Sequence, residues 1–217
     1  MSVDGYIDDT APARLLLSNE ADFDRVDELR AWSDAILVGA ETVRRDNPRL
    51  LVKDPARRRA RRAEGKPEHP RKITVTAAGN LDPDAHFWHH GTAEHAPLVY
   101  TTEAGARRLE RFTAPAEIVA LGPELEFGAL LDDLGARGIG RLMVEGGGRI
   151  HTAFLAAGLA DELHLAIGPA LVGDPQAPRF LHPARFPGGS THRMHLLEVN
   201  RLGDVAVLRY RPQEPDA

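Results

Sequence analysis

The chain has 217 residues, of which 42% are hydrophobic and 27% charged, so one soluble domain with a substantial core is expected. Its formal net charge of −5 gives no overall attraction to nucleic acid or to an anionic membrane surface. The absence of cysteine excludes disulfides and thiolate chemistry. No apolar run approaches transmembrane length, and acids stand near the amino terminus where a signal peptide would be basic, so we expect a cytoplasmic protein.

The first elements alternate between extended and helical patterns. Residues 1–7 have the pattern of a strand end that runs into a turn at Asp4-Gly5, as though most of that strand were absent before them. A helix is predicted from Asn19, a suitable N-cap, to about Trp32. After it we expect a buried strand over residues 35–38, a turn at Gly39 into a short helix, and a stop at Asn47-Pro48.

Two clusters of charged or titratable residues follow. Residues 54–71 are predicted to be a solvated, mobile loop, although five arginines at 57–62 could also suggest a nucleic-acid patch. No aromatic residues are interleaved with them, which favours the loop. The histidines of residues 86–95 could suggest a metal site, but no cysteine or suitably spaced carboxylate completes a ligand set. A surface loop without metal is therefore expected there.

The middle and end of the chain predict an α/β fold. Strands are expected at residues 73–76, 97–101, 117–121 and 161–167, helices at 103–112 and 126–137, and a hairpin from residues 194–199 and 205–210. The β-α alternation implies a mostly parallel sheet with helices on both faces, and the hairpin makes that sheet mixed. We expect a single domain over residues 1–211, followed by a polar tail at 212–217.

A glycine turn near residue 147 is the strongest candidate for a ligand site. The short apolar run at residues 142–144 is followed by Glu145 and three glycines, and then by a helical pattern that Gly158 is placed to end. A glycine turn that enters a helix presents unpaired N–H groups and can approach a phosphate closely. A turn without any ligand is the alternative. The spacing matches neither the dinucleotide fingerprint nor a P-loop.

Several segments together resemble one family. They are Ser2-Val-Asp-Gly5, Leu29-Arg30 with residues 34–39, Thr42-Val-Arg-Arg-Asp-Asn-Pro-Arg-Leu50, Val144-Glu-Gly-Gly-Gly148, and residues 159–163 with Gly168-Pro169 and Gly173. In this order they resemble the reductase domain of the bacterial riboflavin-biosynthesis deaminase-reductase, whose fold is like that of dihydrofolate reductase. The resemblance spans nearly the whole chain.

The resemblance implies an enzyme that uses NADPH to reduce a phosphoribosylamino-pyrimidine, 5-amino-6-(5-phosphoribosylamino)uracil, by hydride transfer to the open-chain ribose, which becomes ribitol. A homodimer with a small-molecule substrate, and with no nucleic acid, membrane or metal, is implied as well. The cofactor carries the hydride chemistry, while the protein supplies positioning and electrostatics. Preference for NADPH over NADH is left open by the residues. Thr101, Thr102, Arg107 and Arg108 could meet a 2′-phosphate or form an ordinary helix surface.

The resemblance also implies which residues form the site. The cofactor contacts expected from it are Thr42, Asp46, Gly147, Gly148, Arg149 and Ile150, and the glycine turns and the strand end before residue 102 add Gly39, Gly146 and Thr101. The expected substrate contacts are Asp4, Arg30, Leu50, Lys53 and Glu145, with Asp46 and Glu145 as the catalytic pair.

The chemistry of three of these residues suits the roles. The guanidinium of Arg30 can grip a phosphate, and Glu145 can accept hydrogen bonds from ribose hydroxyls. Asp46 could hold the nicotinamide ribose or relay a proton. Ordinary structural roles stand beside these: a surface ion pair for Arg30, a helix-end residue for Asp46, and capping of its own glycine turn for Glu145.

The chain departs from the family pattern at positions 14, 16, 53 and 77, where Arg14, Leu16, Lys53 and Ala77 replace residues that the family favours. These changes keep a second possibility open, a reductase of the same fold for a pterin or dihydrofolate. A non-catalytic NADP(H)-binding protein is a third, and a nucleic-acid binder that uses residues 57–62 is a fourth.

Overall fold

A computed structural model describes residues 1–13, 15–191 and 193–212. Its internal contacts group the chain into two units. We call Val26–Gly147 the parallel unit, and the residues up to Arg25 together with the described residues from Gly148 onward the antiparallel unit. The single domain over residues 1–211 stays a prediction. The expected tail lies almost wholly outside the described residues. Within the described part of the chain, no helix is long and apolar enough to cross a membrane.

The parallel unit is built on five strands, which lie in the order β4-β3-β2-β1-β5 and run parallel throughout. They are β1 Ala35–Gly39, β2 Arg71–Thr76, β3 Leu98–Thr101, β4 Glu117–Ala120 and β5 Leu142–Gly146. All residues of β1 and β3 are buried, as expected for apolar runs in the middle of a parallel sheet. Strand β5, predicted at residues 142–144, is two residues longer than expected and ends at Gly146.

Five helices and part of a sixth complete this unit. They are the second half of α1 Glu20–Trp32, then α2 Ala40–Asp46, α3 Pro55–Ala63, α4 His86–His89, α5 Glu103–Leu109 and α6 Phe127–Ala136. The Asn19 side chain accepts a hydrogen bond from the main-chain N–H of Asp22, so its predicted N-cap role is confirmed. The hydrophobic core contains Ile36, Val43, Phe87 and Trp88, among other buried side chains.

The antiparallel unit contains α7 Gly148–Ala156 and a second sheet of β6 Leu163–Ile167, β7 His195–Leu202 and β8 Val205–Arg211, in the order β6-β8-β7. The hairpin of β7 and β8 confirms the predicted C-terminal hairpin. Strand β6 also pairs antiparallel with β8, so these strands form a three-stranded sheet of their own, where one continuous mixed sheet was expected. Gly158 has φ 67 just after α7, as a helix-ending glycine should.

The predicted loop at residues 54–71 is wrong, because a helix occupies half of it. Asp54 caps α3 by accepting hydrogen bonds from the main-chain N–H groups of Ala56 and Arg57, and Pro55 starts the helix. One of its arginines, Arg61, is only 3% exposed. The arginines therefore lie in a capped helix. Arg61 anchors this helix by donating hydrogen bonds to three main-chain carbonyl groups.

The predicted surface loop around residues 86–90 is also wrong. Phe87 and Trp88 lie in α4 and are completely buried, and their rings pack edge to face with centroids 4.6 Å apart. The histidines of this segment suggested a polar surface, but Phe87 and Trp88 between them pack into the hydrophobic core. Among the described residues, no group of three or more His, Cys, Asp or Glu side chains is placed to hold a metal ion.

Candidate active site

The candidate site lies at the carboxyl edge of the five-stranded sheet. Strand register places Val38 beside Gly146, Gly39 beside Val75, and Thr76 beside Thr101, so the ends of β5, β1, β2 and β3 lie along one edge. In open α/β sheets, ligands bind outside the carboxyl ends of the strands. The fold thus brings the two predicted glycine turns, at Gly39 and at Gly146, onto neighbouring strands.

The glycine turn after β5 lies against α2. A Cβ atom placed on Gly147 would be 3.1 Å from the hydroxyl oxygen of Thr42, and one placed on Gly146 would be 3.9 Å from it. The peptide bond between Gly146 and Gly147 is cis, and neither residue has a positive φ. A Cβ on Gly147 would therefore be tight against Thr42, whereas one on Gly146 would make an ordinary contact.

Helix α2 carries two predicted cofactor residues on one face. Thr42 is in its first turn and Asp46 is its last residue, four positions later, so the two side chains project from the same side. Gly39 at the N-cap contributes no side-chain hydrogen bond, which leaves the first turn of α2 without a side-chain cap. The N–H groups of such a turn are suited to an anionic ligand group.

The predicted substrate residues Arg30 and Glu145 bind each other. Arg30 Nε and Nη2 donate to Glu145 Oε1 and Oε2, both at 2.6 Å, and the side chains are only 17% and 14% exposed. Burial lowers the pKa of Arg30, but the hydrogen bond to Glu145 and the negative charges of Glu145 and Asp27 together raise it more, so the net pKa is raised. The substrate role of Arg30 stays a prediction, but its mostly buried side chain does not form a surface ion pair. It fixes the orientation of Glu145 at the end of β5.

Two further predicted substrate residues, Leu50 and Lys53, have structural contacts of their own. Leu50 is 4% exposed and belongs to the core, with φ 48 in the left-handed region, so its side chain points into the protein. Lys53 is exposed, and its main-chain N–H donates to Asp27 Oδ1 at 2.5 Å.

Asp27 is a residue that the sequence analysis missed. Its side chain is 5% exposed in α1 and also accepts hydrogen bonds from the Asp54 N–H and from Arg57 Nη1. It thereby holds the segment that carries Lys53 to the helix that carries Arg30. Its position one turn before Arg30 on the same helix was the available signal.

The Thr101 hydroxyl is already used within the sheet. It donates to the Thr76 carbonyl oxygen at 2.6 Å, and the residue is completely buried. The neighbouring Thr102 caps α5 by accepting from the Gly105 N–H. Arg107 and Arg108 are exposed, and Arg108 Nη1 donates to the Ala78 carbonyl oxygen at 3.2 Å.

The other predicted residues belong to the antiparallel unit. The Asp4 carboxylate accepts hydrogen bonds from Ser2 Oγ at 2.6 Å and from the Gly173 N–H at 2.8 Å, and the bond from Ser2 is the main cause of its lowered pKa. Gly148 starts α7, where any Cβ would collide with the Arg179 carbonyl oxygen. Arg149 is exposed and Ile150 is half-buried. Within the antiparallel unit, the hydrogen bonds of Asp4 and the lack of space for a side chain at Gly148 thus give both residues a structural role.

The amino-acid sequence is similar to those of known reductases. Residues 1–208 match the RibD C-terminal domain family. A 2,5-diamino-6-ribosylamino-4(3H)-pyrimidinone 5′-phosphate reductase from Archaeoglobus fulgidus is 36% identical over 205 residues, covering 94% of this chain and 90% of its own. A reductase of the same name from Aquifex aeolicus is 37% identical over 185 residues, covering 82% of this chain and 77% of its own.

Solved structures support the fold. A pyrimidine reductase-like protein from Corynebacterium diphtheriae superposes with a TM-score of 0.79 at 24% identity, covering 98% of this chain and 89% of that one. The Saccharomyces riboflavin biosynthesis reductase Rib7 gives 0.70 at 18% identity, covering 97% and 85%. At these identities the similarity concerns the fold alone.

A parallel sheet with two glycine-ended strands at its carboxyl edge, together with these reductase relatives, defines an oxidoreductase. The chain belongs to the RibD C-terminal domain family. The predictions of the family, of an α/β fold and of a riboflavin-pathway reductase are confirmed. Membership also supports a nicotinamide cofactor and a small-molecule substrate.

Proposed function

We propose that this chain is an NADPH-dependent reductase of 2,5-diamino-6-ribosylamino-4(3H)-pyrimidinone 5′-phosphate. The observation that carries the proposal is 36% identity over 94% of the chain to a reductase of that name. The deaminated substrate, 5-amino-6-(5-phosphoribosylamino)uracil, is the second candidate, because a Thermotoga maritima enzyme named for it shares the fold at 22% identity. The two pyrimidines carry the same phosphoribosyl group, so the residues that surround the ribose serve either.

The carboxyl edge fits a dinucleotide. A Cβ at Gly147 would crowd Thr42, so the glycine keeps the main chain of the turn uncovered by a side chain. Helix α2 begins beside this turn without a side-chain cap. We assign the phosphates to the first turn of α2 and to the Gly146-Gly147 turn, with Thr42 and Asp46 on the ribose side. When bound, NADPH supplies the hydride that reduces the open-chain imine carbon of the substrate, and a proton goes to its nitrogen.

Within this scheme the Arg30–Glu145 pair positions the substrate. Both oxygens of Glu145 accept from Arg30, and each keeps a second lone pair for a ribose hydroxyl. The bidentate pair holds the carboxylate in one orientation, which reduces the entropy lost when the substrate binds. Asp46, exposed at the end of α2, is our candidate for the proton relay. The roles of Asp4, Leu50, Lys53, Thr101, Gly148, Arg149 and Ile150 remain predictions.

We also propose a homodimer, supported by the antiparallel unit. Strand β7 is an edge strand of its sheet, and its apolar side chains Leu196 and Val199 are 47% and 60% exposed. An edge strand with an exposed apolar row is a site at which another chain can pair. A monomeric mass by light scattering at micromolar concentration would contradict this assignment.

Calorimetric titration with NADPH, with NADH as the control, tests the cofactor first. We expect saturable binding of NADPH at one site per chain and at least tenfold weaker binding of NADH. Turnover is then compared for the diamino-pyrimidinone, the uracil derivative and dihydrofolate. Faster turnover of dihydrofolate would favour the pterin alternative. Tight NADPH binding without turnover of any of the three would favour a non-catalytic binding protein.

The nucleic-acid alternative is weakened by the structure. Of the arginines that motivated it, Arg57 pairs with Asp27 at 3.1 Å and Arg61 is buried. Arg62 pairs with Glu68 at 3.0 Å. Helix α3 therefore does not present its whole arginine run as a continuous basic surface.

A further inference from the structure

A cavity lies at the opposite, amino edge of the five-stranded sheet. Its volume is about 300 Å³, within the range of small-molecule sites. It is bordered by residues that precede or begin β1, β2, β3 and β5, together with the segment that follows α3. The polar side chains that line it are those of Asp34, Arg61, Lys66, Arg71, His95 and Arg137. None of them belongs to the candidate active site.

Four basic side chains and one carboxylate line the cavity, and the carboxylates that pair with Arg71 and Arg137 are not among the lining residues. That carboxylate, Asp34, is largely used elsewhere, because its Oδ2 accepts from the N–H groups of Gly140 and Arg141 at 3.1 and 2.9 Å. Lys66 approaches Asp34 only to 3.9 Å, and its closer partner, Glu64 at 3.1 Å, is 63% exposed. The positive charge of Lys66 is therefore weakly compensated within the cavity.

Arg61 is the most unusual member of the lining. It is 3% exposed, and its hydrogen bonds go to three main-chain carbonyls, those of Ala31, Ser33 and Pro67, at 2.7 to 2.8 Å. No described carboxylate forms an ion pair with it. Burial of this charge lowers its pKa, although nearby acids such as Asp34 partly offset the effect. A buried cation that has only carbonyl partners is further stabilised by an anion beside it.

Arg71 and Arg137 are held firmly in place. Arg71 Nη2 and Arg137 Nη1 both donate to Glu117, at 2.8 and 2.6 Å. Their Nε atoms donate to the Ala96 carbonyl oxygen and to Asp133. Each guanidinium thus keeps one terminal nitrogen that makes no hydrogen bond to a described residue. The buried Nδ1 of His95 also has no partner among them.

From this arrangement we propose that the amino-edge cavity binds the phosphate monoester of a small metabolite. Guanidinium groups that other contacts hold in place and an ammonium group line it, and a tetrahedral dianion is the ligand that such donors recognise best. The cavity has room for a short organic group beside the phosphoryl group. The site is separate from the candidate active site, and the inference does not depend on the proposed function.

Calorimetry with glycerol 3-phosphate tests the proposal, because this monoester does not resemble a nucleotide or a phosphoribosyl pyrimidine. Inorganic phosphate and glycerol are titrated alongside it at constant ionic strength. We expect one site for glycerol 3-phosphate, weaker binding of inorganic phosphate and none of glycerol. In the Lys66→Ala variant the Kd should rise at least fivefold. Ile139→Phe, which narrows the cavity without changing charge, should raise it in the same way.

The controls separate this site from general charge effects. Arg59→Ala removes an exposed cation from α3, outside the cavity, and Glu145→Gln alters the candidate active site. Both should leave the Kd for glycerol 3-phosphate within twofold. An unchanged Kd in Lys66→Ala, or an equal loss in Arg59→Ala or Glu145→Gln, would overturn the proposal. Binding of inorganic phosphate as tight as that of the ester would overturn the assignment to a monoester.

Discussion

The two edges of the five-stranded sheet are built differently. At the carboxyl edge β1 and β5 end in glycine, helix α2 begins without a side-chain cap, and one buried ion pair fixes the orientation of Glu145. At the amino edge charged side chains reach across from one segment to another, as Arg71 does to Glu117 and Lys72 does to the end of α4. The carboxyl edge leaves its main chain accessible, whereas at the amino edge side chains connect one segment to another.

The difference follows from the backbone polarity of parallel strands. Helices that follow the strands begin at the carboxyl edge, so their N–H groups are available to a ligand there. The amino edge receives the ends of helices, whose carbonyl groups need donors, and Arg61 and Lys72 supply them. Substitutions at the carboxyl edge should therefore change binding and turnover, while those in the amino-edge side-chain network should change stability.

Gly147→Leu should show the largest effect on function. A Cβ at this position lies 3.1 Å from Thr42 Oγ1, and the rest of a leucine would fill the space that we assign to the cofactor phosphates. We expect the Kd for NADPH to rise about 100-fold or more, which corresponds to ~2.7 kcal/mol. Calorimetry of the folded variant measures this loss.

Gly135→Leu is the matched control, because a Cβ added at this exposed position in α6 would meet no atom within 4 Å. It should leave NADPH binding unchanged. If Gly147→Leu kept the Kd within twofold of the unmodified protein, the glycine turn would be structural and the cofactor would bind elsewhere.

Lys72→Met tests the amino edge through the pH dependence of stability. Lys72 is 2% exposed, and its ammonium group donates to the Phe87 and His90 carbonyl oxygens, while burial lowers its pKa to about 7. Between pH 7 and 10.5 the unfolded chain therefore binds more protons at this residue, so its contribution to the free energy of unfolding rises with pH. From pH 7.5 to 9.5 we expect the unmodified protein to gain ~2 kcal/mol relative to the variant.

Urea unfolding at several pH values measures that difference, and NADPH affinity should not change in the folded variant. Arg59→Met removes an exposed cation and shows whether net charge alone has the same effect. A constant difference in stability between the unmodified protein and Lys72→Met over this range would mean that the lysine keeps its ordinary pKa when buried.

The sequence predicted most of the fold because its signals were local. Buried strands such as β1 are continuous apolar runs, Asn19 is a recognisable N-cap, and the turn around Gly203 separates two alternating strands. The failures came where long-range contacts override composition. Arg61 is charged, yet it is buried because it donates hydrogen bonds to three main-chain carbonyl groups. Phe87 and Trp88 are core residues although they lie in a histidine-rich stretch.

The candidate site was predicted as a set of residues, but not as an arrangement. Nothing in the spacing showed that Arg30 and Glu145, 115 positions apart, bind each other, or that Leu50 would turn into the core. The closeness of Thr42 to Gly147 depends on where α2 packs after β1. These relations come from strand order and register, which are properties of the folded sheet.

Glu145→Gln should have the smallest effect, and it separates substrate positioning from cofactor binding. The amide keeps one acceptor oxygen for Arg30 but loses the charge and one of the two short hydrogen bonds. We expect kcat/KM for the pyrimidine substrate to fall about tenfold, or ~1.4 kcal/mol, while the Kd for NADPH stays within twofold. Because the Arg30 side chain is mostly buried, Arg30→Met combined with Glu145→Gln should cost less stability than Arg30→Met alone, which leaves the carboxylate without its partner. Equal losses in NADPH affinity and turnover would place Glu145 on the cofactor side of the carboxyl edge.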